Sequence, residues 1–304
     1  MSKIVGIGAN VYDTLLTVPF YPDEDTKLRA DKMVLSGGGP CATGLVSASK
    51  LGGDAAYIGV LSDDAGGMFL KADLEKYNVC TKYIRVCKGY DSFCSYIWLS
   101  EKTSSRTCVF NKGNLPPLVL DDEQKQAVKD AELIMIDGNE MSAAKQACGI
   151  ARKNGTKVLY DAGGLYENVA DLLALTDILI PSEEFAIGHT GESNAENAVK
   201  KLYEMYRPEV VVVTQGKKGG IIYDGTEMKQ YPAFVVDAVD SNGSGDVFHG
   251  AFAFAVTKGY DYYKACVFSS AVSALKCTKL GARIGAPSFD ETIKFLKERG
   301  INEL

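Results

Sequence analysis

The stretch that decides the fold is Asp240-Ser241-Asn242-Gly243-Ser244-Gly245-Asp246, followed by an apolar run from 247 to 256. The two glycines allow a tight backbone turn and let a ligand approach the chain without meeting a Cβ atom. The apolar run has helical character, and the start of a helix offers unpaired N–H groups and the positive end of its dipole. The sequence therefore predicts an anion site suited to phosphate at this loop.

Two carboxylates, Asp240 and Asp246, flank this predicted phosphate site. A carboxylate beside a phosphate is repelled by it, so its presence needs a reason. Proton abstraction from a hydroxyl group that attacks phosphorus is one such reason. The alternative is that Asp246 only caps the following helix, as Asp commonly does. His249, within that helix, has no evident partner in the sequence and is interpreted as structural.

The same loop resembles the Asp-Thr-x-Gly-Ala-Gly-Asp motif of the PfkB (ribokinase-like) carbohydrate kinases, with Ser241 in place of Thr and Ser244 in place of Ala. The resemblance implies that Asp246 is the catalytic base. It also implies that the backbone of Gly243, Ser244 and Gly245 holds the phosphoryl group being transferred. The implied cofactors are ATP and Mg²⁺, and the family also allows for a monovalent cation such as K⁺.

A lone acid, Asp13, lies in an apolar stretch that is predicted to be a strand. A buried Asp is costly unless it is paired, so Asp13 is predicted to bind a ligand; a turn or capping Asp is the alternative. In the family, an Asp at this place hydrogen-bonds sugar hydroxyls. The resemblance also places Gly38 and Gly39 against the sugar, at the start of a helix predicted for 40–50, with Thr43 where the family usually has Asn.

Segments at about 10–18, 28–36 and 88–112 are predicted to form a small β-sheet apart from the main one. The last segment reads as a hairpin with a polar turn at 101–105. Family members carry such a sheet as a lid, which excludes water from the reaction. Arg106, on this hairpin, is a candidate contact to an anionic substrate or phosphate, and a solvated Arg is the alternative. A homodimer formed through the lid is a further expectation.

From residue 115 onward, helical and strand patterns alternate, which is typical of a doubly wound α/β domain with a mostly parallel sheet. Polar residues follow the strand ends, where ligands bind in such sheets. Asp137 follows one of these strands and is a predicted substrate contact. Residues 1–304 are interpreted as a single ribokinase-like kinase domain.

The segment Thr214-x-Gly216-Lys217-x-Gly219, after a later strand, resembles the nucleotide-binding loop of the family. An ordinary turn with two glycines is the alternative. The turn at Gly281-Ala282 resembles the segment that forms the edge of the adenine pocket in the family. These residues are the predicted contacts to ATP.

The Asn-x-x-Glu pair with which the family organises magnesium has no match in the run Ser182-Glu183-Glu184-Phe185-Ala186. Because this run stands at the place that matches the pair, the resemblance implies Glu183 and Glu184, together with Asp240, as the candidate metal ligands. Solvated carboxylates at the start of a helix are the alternative. The run resembles a ketohexokinase-like subgroup, which favours a ketose such as fructose as the acceptor, with ribose as the other candidate.

The composition argues against several function classes. The chain has 304 residues and a net charge of −6 without a basic block, which disfavours a nucleic-acid partner. Its apolar runs fall short of the ~20 residues needed to cross a bilayer, and the first residues do not form a signal peptide, so no membrane partner is expected. Eight scattered cysteines and two histidines disfavour a zinc site and indicate reduced thiols in the cytoplasm.

A rival hypothesis uses Gly37-x-Gly39-x-x-Ala42, which fits a dinucleotide fingerprint with the acidic residues Asp63 and Asp64 about twenty positions further on. The chain would then be an NAD-type or other nucleotide-binding α/β enzyme. This hypothesis gives no role to the acid that ends the glycine loop, and its fingerprint lies far from the first strand. The sequence therefore favours an ATP-dependent sugar kinase that phosphorylates a primary hydroxyl.

Overall fold

The computed structural model describes residues 3–103, 105–164 and 168–303. Ser104, in the predicted turn of the lid hairpin, lies outside the described residues. The strands are, in chain order, β1 (Ile4–Ile7), β2 (Val11–Val18), β3 (Lys32–Gly38), β4 (Ala55–Ser62), β5 (Ile84–Cys87), β6 (Cys94–Ser100), β7 (Arg106–Asn111), β8 (Leu133–Ile136), β9 (Lys157–Ala162), β10 (Ile178–Pro181), β11 (Val210–Thr214), β12 (Gly220–Tyr223) and β13 (Met228–Tyr231). The helices are α1 (Pro40–Lys50), α2 (Ala65–Lys76), α3 (Asp122–Asp130), α4 (Met141–Asn154), α5 (Ala170–Leu173), α6 (Glu183–Thr190), α7 (Ala195–Tyr206), α8 (Ser244–Thr257), α9 (Tyr262–Cys277), α10 (Ala282–Gly285) and α11 (Phe289–Lys297).

Nine of these strands form one sheet in the order β13-β12-β11-β10-β9-β8-β1-β4-β5. Its strands run parallel from β11 to β5, whereas β12 pairs antiparallel with both of its neighbours. Alternate residues of a strand face opposite sides of a sheet. In β1, Ile4 accordingly packs into a core that includes α1, α8, α9 and α11, while Val5 and Ile7 pack into a core that includes α3, α4, α6 and α7. Helices therefore cover both faces, and the predicted fold class is confirmed.

The remaining four strands form a separate lid sheet in the order β3-β2-β6-β7. The register places Asp13 between Ser36 and Ser95, on the face that the cavity described below uses. The predicted start of the second lid segment at 28 is wrong, because β3 begins only at Lys32. Lys32 pairs with Thr17, one residue before β2 ends, so earlier residues have no strand of the lid to pair with.

Two glycines bring α1 and α8 into backbone contact. A Cβ atom built on Gly250 would lie 1.9 Å from the carbonyl oxygen of Gly44, so α8 passes α1 at a distance that only glycine allows. This contact places the first turns of both helices at the same edge of the sheet. No helix in the described part of the chain is both long and apolar enough to span a bilayer.

Candidate active site

Gly243 of the glycine loop directly precedes α8 and has a left-handed backbone conformation, with a φ of 73°. A Cβ atom there would lie 2.4 Å from the Cβ of Ala282, so glycine is required both by conformation and by space. No side chain caps α8, and its acid lies in the first turn. The alternative that Asp246 only caps the helix is therefore wrong.

The loop forms a wall that two cavities share. The smaller cavity, about 190 Å³ in volume, is lined on this side by Asn242 and Asp246. The larger, about 500 Å³, is lined by Ser241, Ser244 and Gly245 of the same loop. A ligand in one cavity is therefore separated from a ligand in the other only by the loop and the first turn of α8.

Asp13 supplies a carboxylate to the smaller cavity and is 7% exposed. Ser95 donates its hydroxyl to Asp13 Oδ1 at 2.6 Å. Burial raises the pKa of Asp13 to about 6, against the opposing effects of Ser95 and Arg283. Gly38 must be glycine, because a Cβ there would lie 1.9 Å from Asp13 Oδ2.

Further polar and apolar groups complete the smaller cavity. Gly39 and Thr43 line it, and the buried Thr43 hydroxyl has no hydrogen-bond partner within the described residues, so it is available to a ligand. The lid contributes apolar side chains, among them Phe93 and Phe110. Arg106, which is exposed on β7, donates to Asn242 Oδ1 and so joins the lid to the glycine loop. A polyol fits this mixture of carboxylate, hydroxyl and apolar walls.

Asp246 is half-buried at the junction of the two cavities. Desolvation and the nearby Asp161 raise the pKa of Asp246 to about 7, while His249 and Arg106 act to lower it. A carboxylate that titrates near neutral pH is well matched to accept a proton during turnover. The geometry and the charge of this residue thus suit a general base.

The larger cavity begins at the end of β11, where Thr214, Gly216, Lys217 and Gly219 line it as the sequence predicts. Its other walls are largely apolar, and they bring together segments that are far apart in the chain: Ala233, Phe234, Val235, Val236, Ala238, Phe248, Ala274 and Cys277. An apolar chamber beside a helix N-terminus suits a planar base joined to phosphate groups.

The family model of the pfkB family carbohydrate kinases matches residues 1–288. The chain belongs to this family. Ribokinase of Haemophilus influenzae is 27% identical to the kinase over 298 residues, which cover 96% of this chain and 97% of that protein. The ATP-dependent ribose-1-phosphate kinase of Halopiger xanaduensis is 25% identical, with coverage of 98% and 99%. The structure of Arabidopsis thaliana ribokinase complexed with ribose and ATP matches with a TM-score of 0.88 at 23% identity, covering 97% of this chain and 99% of that chain.

The family assignment removes the NAD-type alternative, and the structure of the kinase gives the physical reason. Gly37 lies in β3 and Gly39 directly follows it, and this edge strand of the lid pairs antiparallel with β2, whereas a dinucleotide fingerprint follows a strand of a parallel sheet. A Cβ on Gly37 would lie 1.9 Å from Nη1 of Arg283, so this glycine makes room for a side chain of the protein itself. Asp64 is the N-cap of α2 and accepts from Gly67 at 2.7 Å.

The predicted metal ligands of the kinase are not brought together. No three acidic, histidine or cysteine side chains in the described ranges could hold a metal ion. Asp240 accepts from the backbone N–H groups of Asn242 and Gly281, both at 2.8 Å. The buried Lys276 ammonium lies 3.4 Å from Asp240 Oδ2 and donates to the Asp240 carbonyl oxygen at 2.6 Å. Asp240 is therefore a structural ion-pair partner, and Gly281 binds it instead of lining the larger cavity.

The two glutamates of the metal prediction have different surroundings. Glu183 is half-buried at the start of α6, and Gln215 donates to its Oε1 at 2.7 Å. Because Gln215 follows β11, this contact places Glu183 next to the strand end that lines the larger cavity. Glu184 is exposed.

Asp137 does not line either cavity of the kinase, contrary to the prediction. Its Oδ2 accepts from the N–H groups of Ala9 at 2.8 Å and Cys41 at 3.1 Å, and its Oδ1 accepts from the N–H of Asn139 at 3.0 Å. The carboxylate thus ties the end of β1 to the first turn of α1. Its role is structural, because these backbone donors occupy both oxygens.

Sequence reasoning missed the partners of His249. Its Nδ1 lies 3.2 Å from Asp161 Oδ2 and 2.6 Å from the Gly245 carbonyl oxygen, and its Nε2 lies 3.0 Å from the Ile180 carbonyl oxygen. The one available signal was the position of Asp161 at the carboxyl end of a parallel strand, where functional side chains gather. The sequence showed no partner for His249, and folding supplies three acceptors around its ring.

Proposed function

We propose that the kinase transfers the γ-phosphoryl group of ATP to a primary hydroxyl of a sugar, either a ketose such as fructose or ribose. The observation that carries this proposal is the loop that separates the two cavities. A sugar in the smaller cavity and a nucleotide in the larger one meet at the first turn of α8. The names of the relatives that phosphorylate ribose or its phosphate support the same reaction type.

In this proposal, Asp13 and Thr43 orient the sugar, with Gly38 and Gly39 forming the surface beneath it. Asp246 takes the proton of the attacking hydroxyl. No covalent enzyme intermediate is needed, because positioning and charge stabilisation suffice for phosphoryl transfer.

In this proposal, the backbone of Gly243, Ser244 and Gly245 and the positive helix end hold the transferred phosphoryl group. The Ser244 N–H donates to the Ser241 carbonyl oxygen at 3.2 Å, so we assign the N–H contacts to Gly243 and Gly245. Arg106 adds positive charge when the lid lies on the loop.

On the nucleotide side, we assign phosphate contacts to Thr214, Gly216, Lys217 and Gly219. Mg²⁺ commonly uses one or two carboxylates together with substrate phosphates, and it would neutralise phosphate charge here. Glu183 fits this role because it lies beside the cavity edge, and Glu184 is the weaker choice because it is exposed.

A monovalent cation such as K⁺ is a further part of the proposal that rests on the resemblance alone. Lys276 already places a positive charge against Asp240 under the loop. Turnover measured in potassium chloride and in tetramethylammonium chloride at equal ionic strength tests this part, and equal rates would remove it.

We also propose a homodimer through the lid. The lid face away from the cavity carries exposed apolar side chains in adjacent strands: Met33, Leu35, Tyr96 and Val109 are 65%, 43%, 51% and 57% exposed. A second copy of the same face would cover them. Sedimentation equilibrium should give twice the chain mass, and Tyr96→Lys should reduce this value to the mass of one chain; a monomeric wild type would remove the dimer.

We also propose a cytoplasmic location. All eight cysteines are free thiols, which supports it.

The decisive test is an assay of ADP release with ATP across a panel of fructose, ribose and other sugars. We expect turnover with at least one sugar, and turnover at least about a hundredfold slower with Asp246→Asn at matched protein concentration. ATP, and not NAD, should raise the melting temperature, because a ligand that binds the native state stabilises it. Absence of ADP release with every sugar tested would contradict the proposed function.

A further inference from the structure

His249 connects three elements directly beneath the glycine loop. It lies on α8, one turn after Gly245 and on the same side of the helix as Asp246. Through its ring it reaches Asp161 at the end of β9 and the backbone of Ile180 in β10. The side chains of His249 and Asp161 are each only 6% exposed. The imidazole thus ties the loop to the carboxyl ends of two strands.

Every polar atom that these contacts place against the ring is a hydrogen-bond acceptor. Nδ1 faces the Gly245 carbonyl and the Asp161 carboxylate, and Nε2 faces the Ile180 carbonyl. A neutral imidazole carries one N–H, so one of its nitrogens would direct a lone pair at an oxygen. When Asp161 is ionised, only the imidazolium, with two N–H groups, donates to the acceptors on both sides of the ring.

The surroundings act on the charge of the ring in opposite directions. Burial is the largest effect and lowers the pKa of His249, while its hydrogen bonds to Ile180 and Gly245 and the charge of Asp246 oppose this shift. Three carboxyl groups act on one another here, since Asp161 and Asp137 both raise the pKa of Asp246.

The other cations near Asp246 are less well placed. Arg106 is exposed on the lid strand, and Lys276 is engaged by Asp240. Among the residues that the structure describes, His249 is the buried basic side chain in contact with Asp161.

We propose that His249 is a positioning residue: as an imidazolium held by Asp161, it fixes the Gly245 backbone and keeps Asp246 ionised for catalysis. The second half of this inference rests on the proposed function, in which Asp246 is the base. The first half concerns only the charge state of the ring and is tested separately.

The charge state is measured on the full chain labelled with ¹⁵N-histidine. The sequence contains two histidines, so His189→Asn leaves a single imidazole to observe. We expect two protonated ring nitrogens from pH 6 to 8. When Asp161→Asn is added to His189→Asn, the His249 ring should lose its second proton at a lower pH than in His189→Asn alone. A single protonated nitrogen at pH 7 would overturn the inference, whether or not the protein is active.

The effect on Asp246 is measured by the pH dependence of kcat for His249→Asn, with His189→Asn as the matched control. Asp246 must be ionised to accept a proton, so kcat falls as the pH falls through its pKa. Loss of the neighbouring cation should move this acidic limb upward by about one pH unit, whereas His189→Asn should leave it unchanged. His249→Gln should restore part of kcat through its amide donor but not the position of the limb. Superimposable limbs for His249→Asn and wild type would contradict the role assigned to His249. Inactive wild-type protein would instead remove the proposed function and leave the spectroscopic result standing.

Discussion

At the scale of single residues, Asp246 combines an unusual environment with a simple test. Asp246→Asn keeps the shape of the side chain but cannot accept a proton. We expect kcat to fall at least about a hundredfold, as general-base catalysis is worth about 10²–10⁴ in rate. ATP affinity should stay equal or become slightly tighter, because a negative charge near the phosphates is gone. Steady-state kinetics and nucleotide titration check both; near-normal kcat would remove the assignment of the base.

Replacing Asp13 should raise the stability of the protein and lower its activity. Its pKa is raised from 3.8 to about 6 in the folded protein, which therefore favours the protonated carboxyl. The contribution of Asp13 to the unfolding free energy is lost as the pH rises from about 4 to 6. At pH 7 the ionised carboxylate costs about 3 kcal/mol of unfolding free energy at most. Asp13→Asn should therefore be more stable than wild type at pH 7, with the difference vanishing below pH 4.

The same variant should raise the KM for the sugar sharply and leave nucleotide binding nearly unchanged. Urea unfolding at pH 4 and pH 7 and steady-state kinetics measure the two effects. Lower stability of Asp13→Asn at pH 7, or equal losses of sugar and nucleotide affinity, would show that Asp13 is placed wrongly.

The contrast between predicted and missed site residues has a physical basis. Asp246 and Asp13 are recognisable from neighbours in the chain, namely a glycine loop and an apolar strand. Asp161 and Lys276 matter because folding brings them to His249 and Asp240, which the sequence alone does not show. Asp137 also follows a strand, but backbone N–H groups from β1 and α1 take up its carboxylate.

At the scale of elements, the close passage of α1 and α8 positions the catalytic turn. Gly250→Ala would place a methyl group 1.9 Å from a backbone oxygen and should destabilise the protein by about 1–3 kcal/mol. Gly149→Ala is the matched control, since nothing lies within 4 Å of that position in helix α4. There, replacing a helical glycine should stabilise by about 0.5–1 kcal/mol. Urea unfolding of both variants decides; equal effects would mean that the helices can separate freely.

Long, strongly patterned elements were predictable, and short edge elements were not. The helix predicted for 40–50 coincides with α1. By contrast, β12 and β13 contain four residues each and were not predicted. Length alone is not the reason, since β8 and β10 are equally short but consist of apolar residues. Strand β12 begins with a glycine and β13 is half polar, and their pairing depends on β11, which provides the sheet edge.

At the scale of the whole molecule, the chain passes twice from the lid to the main sheet. Lid strands β2 and β3 are followed by β4 of the main sheet, and lid strands β6 and β7 are followed by β8 of the main sheet. Lid and main sheet should therefore unfold together as one domain. The protein has a single tryptophan, and Trp98 lies on lid strand β6. Urea transitions followed by tryptophan fluorescence and by circular dichroism should coincide. An earlier fluorescence transition would mean that the lid unfolds by itself.

The loop that separates the two cavities has a consequence for inhibitor design. A bisubstrate ligand, with a sugar at one end and a nucleotide at the other, would cross this wall through its phosphate linker. Once one end is bound, the other searches for its cavity at a high effective concentration, so the affinities reinforce each other. The gain is lost when the linker is too short to span the sites. The thickness of the loop would then determine which linker length binds most tightly.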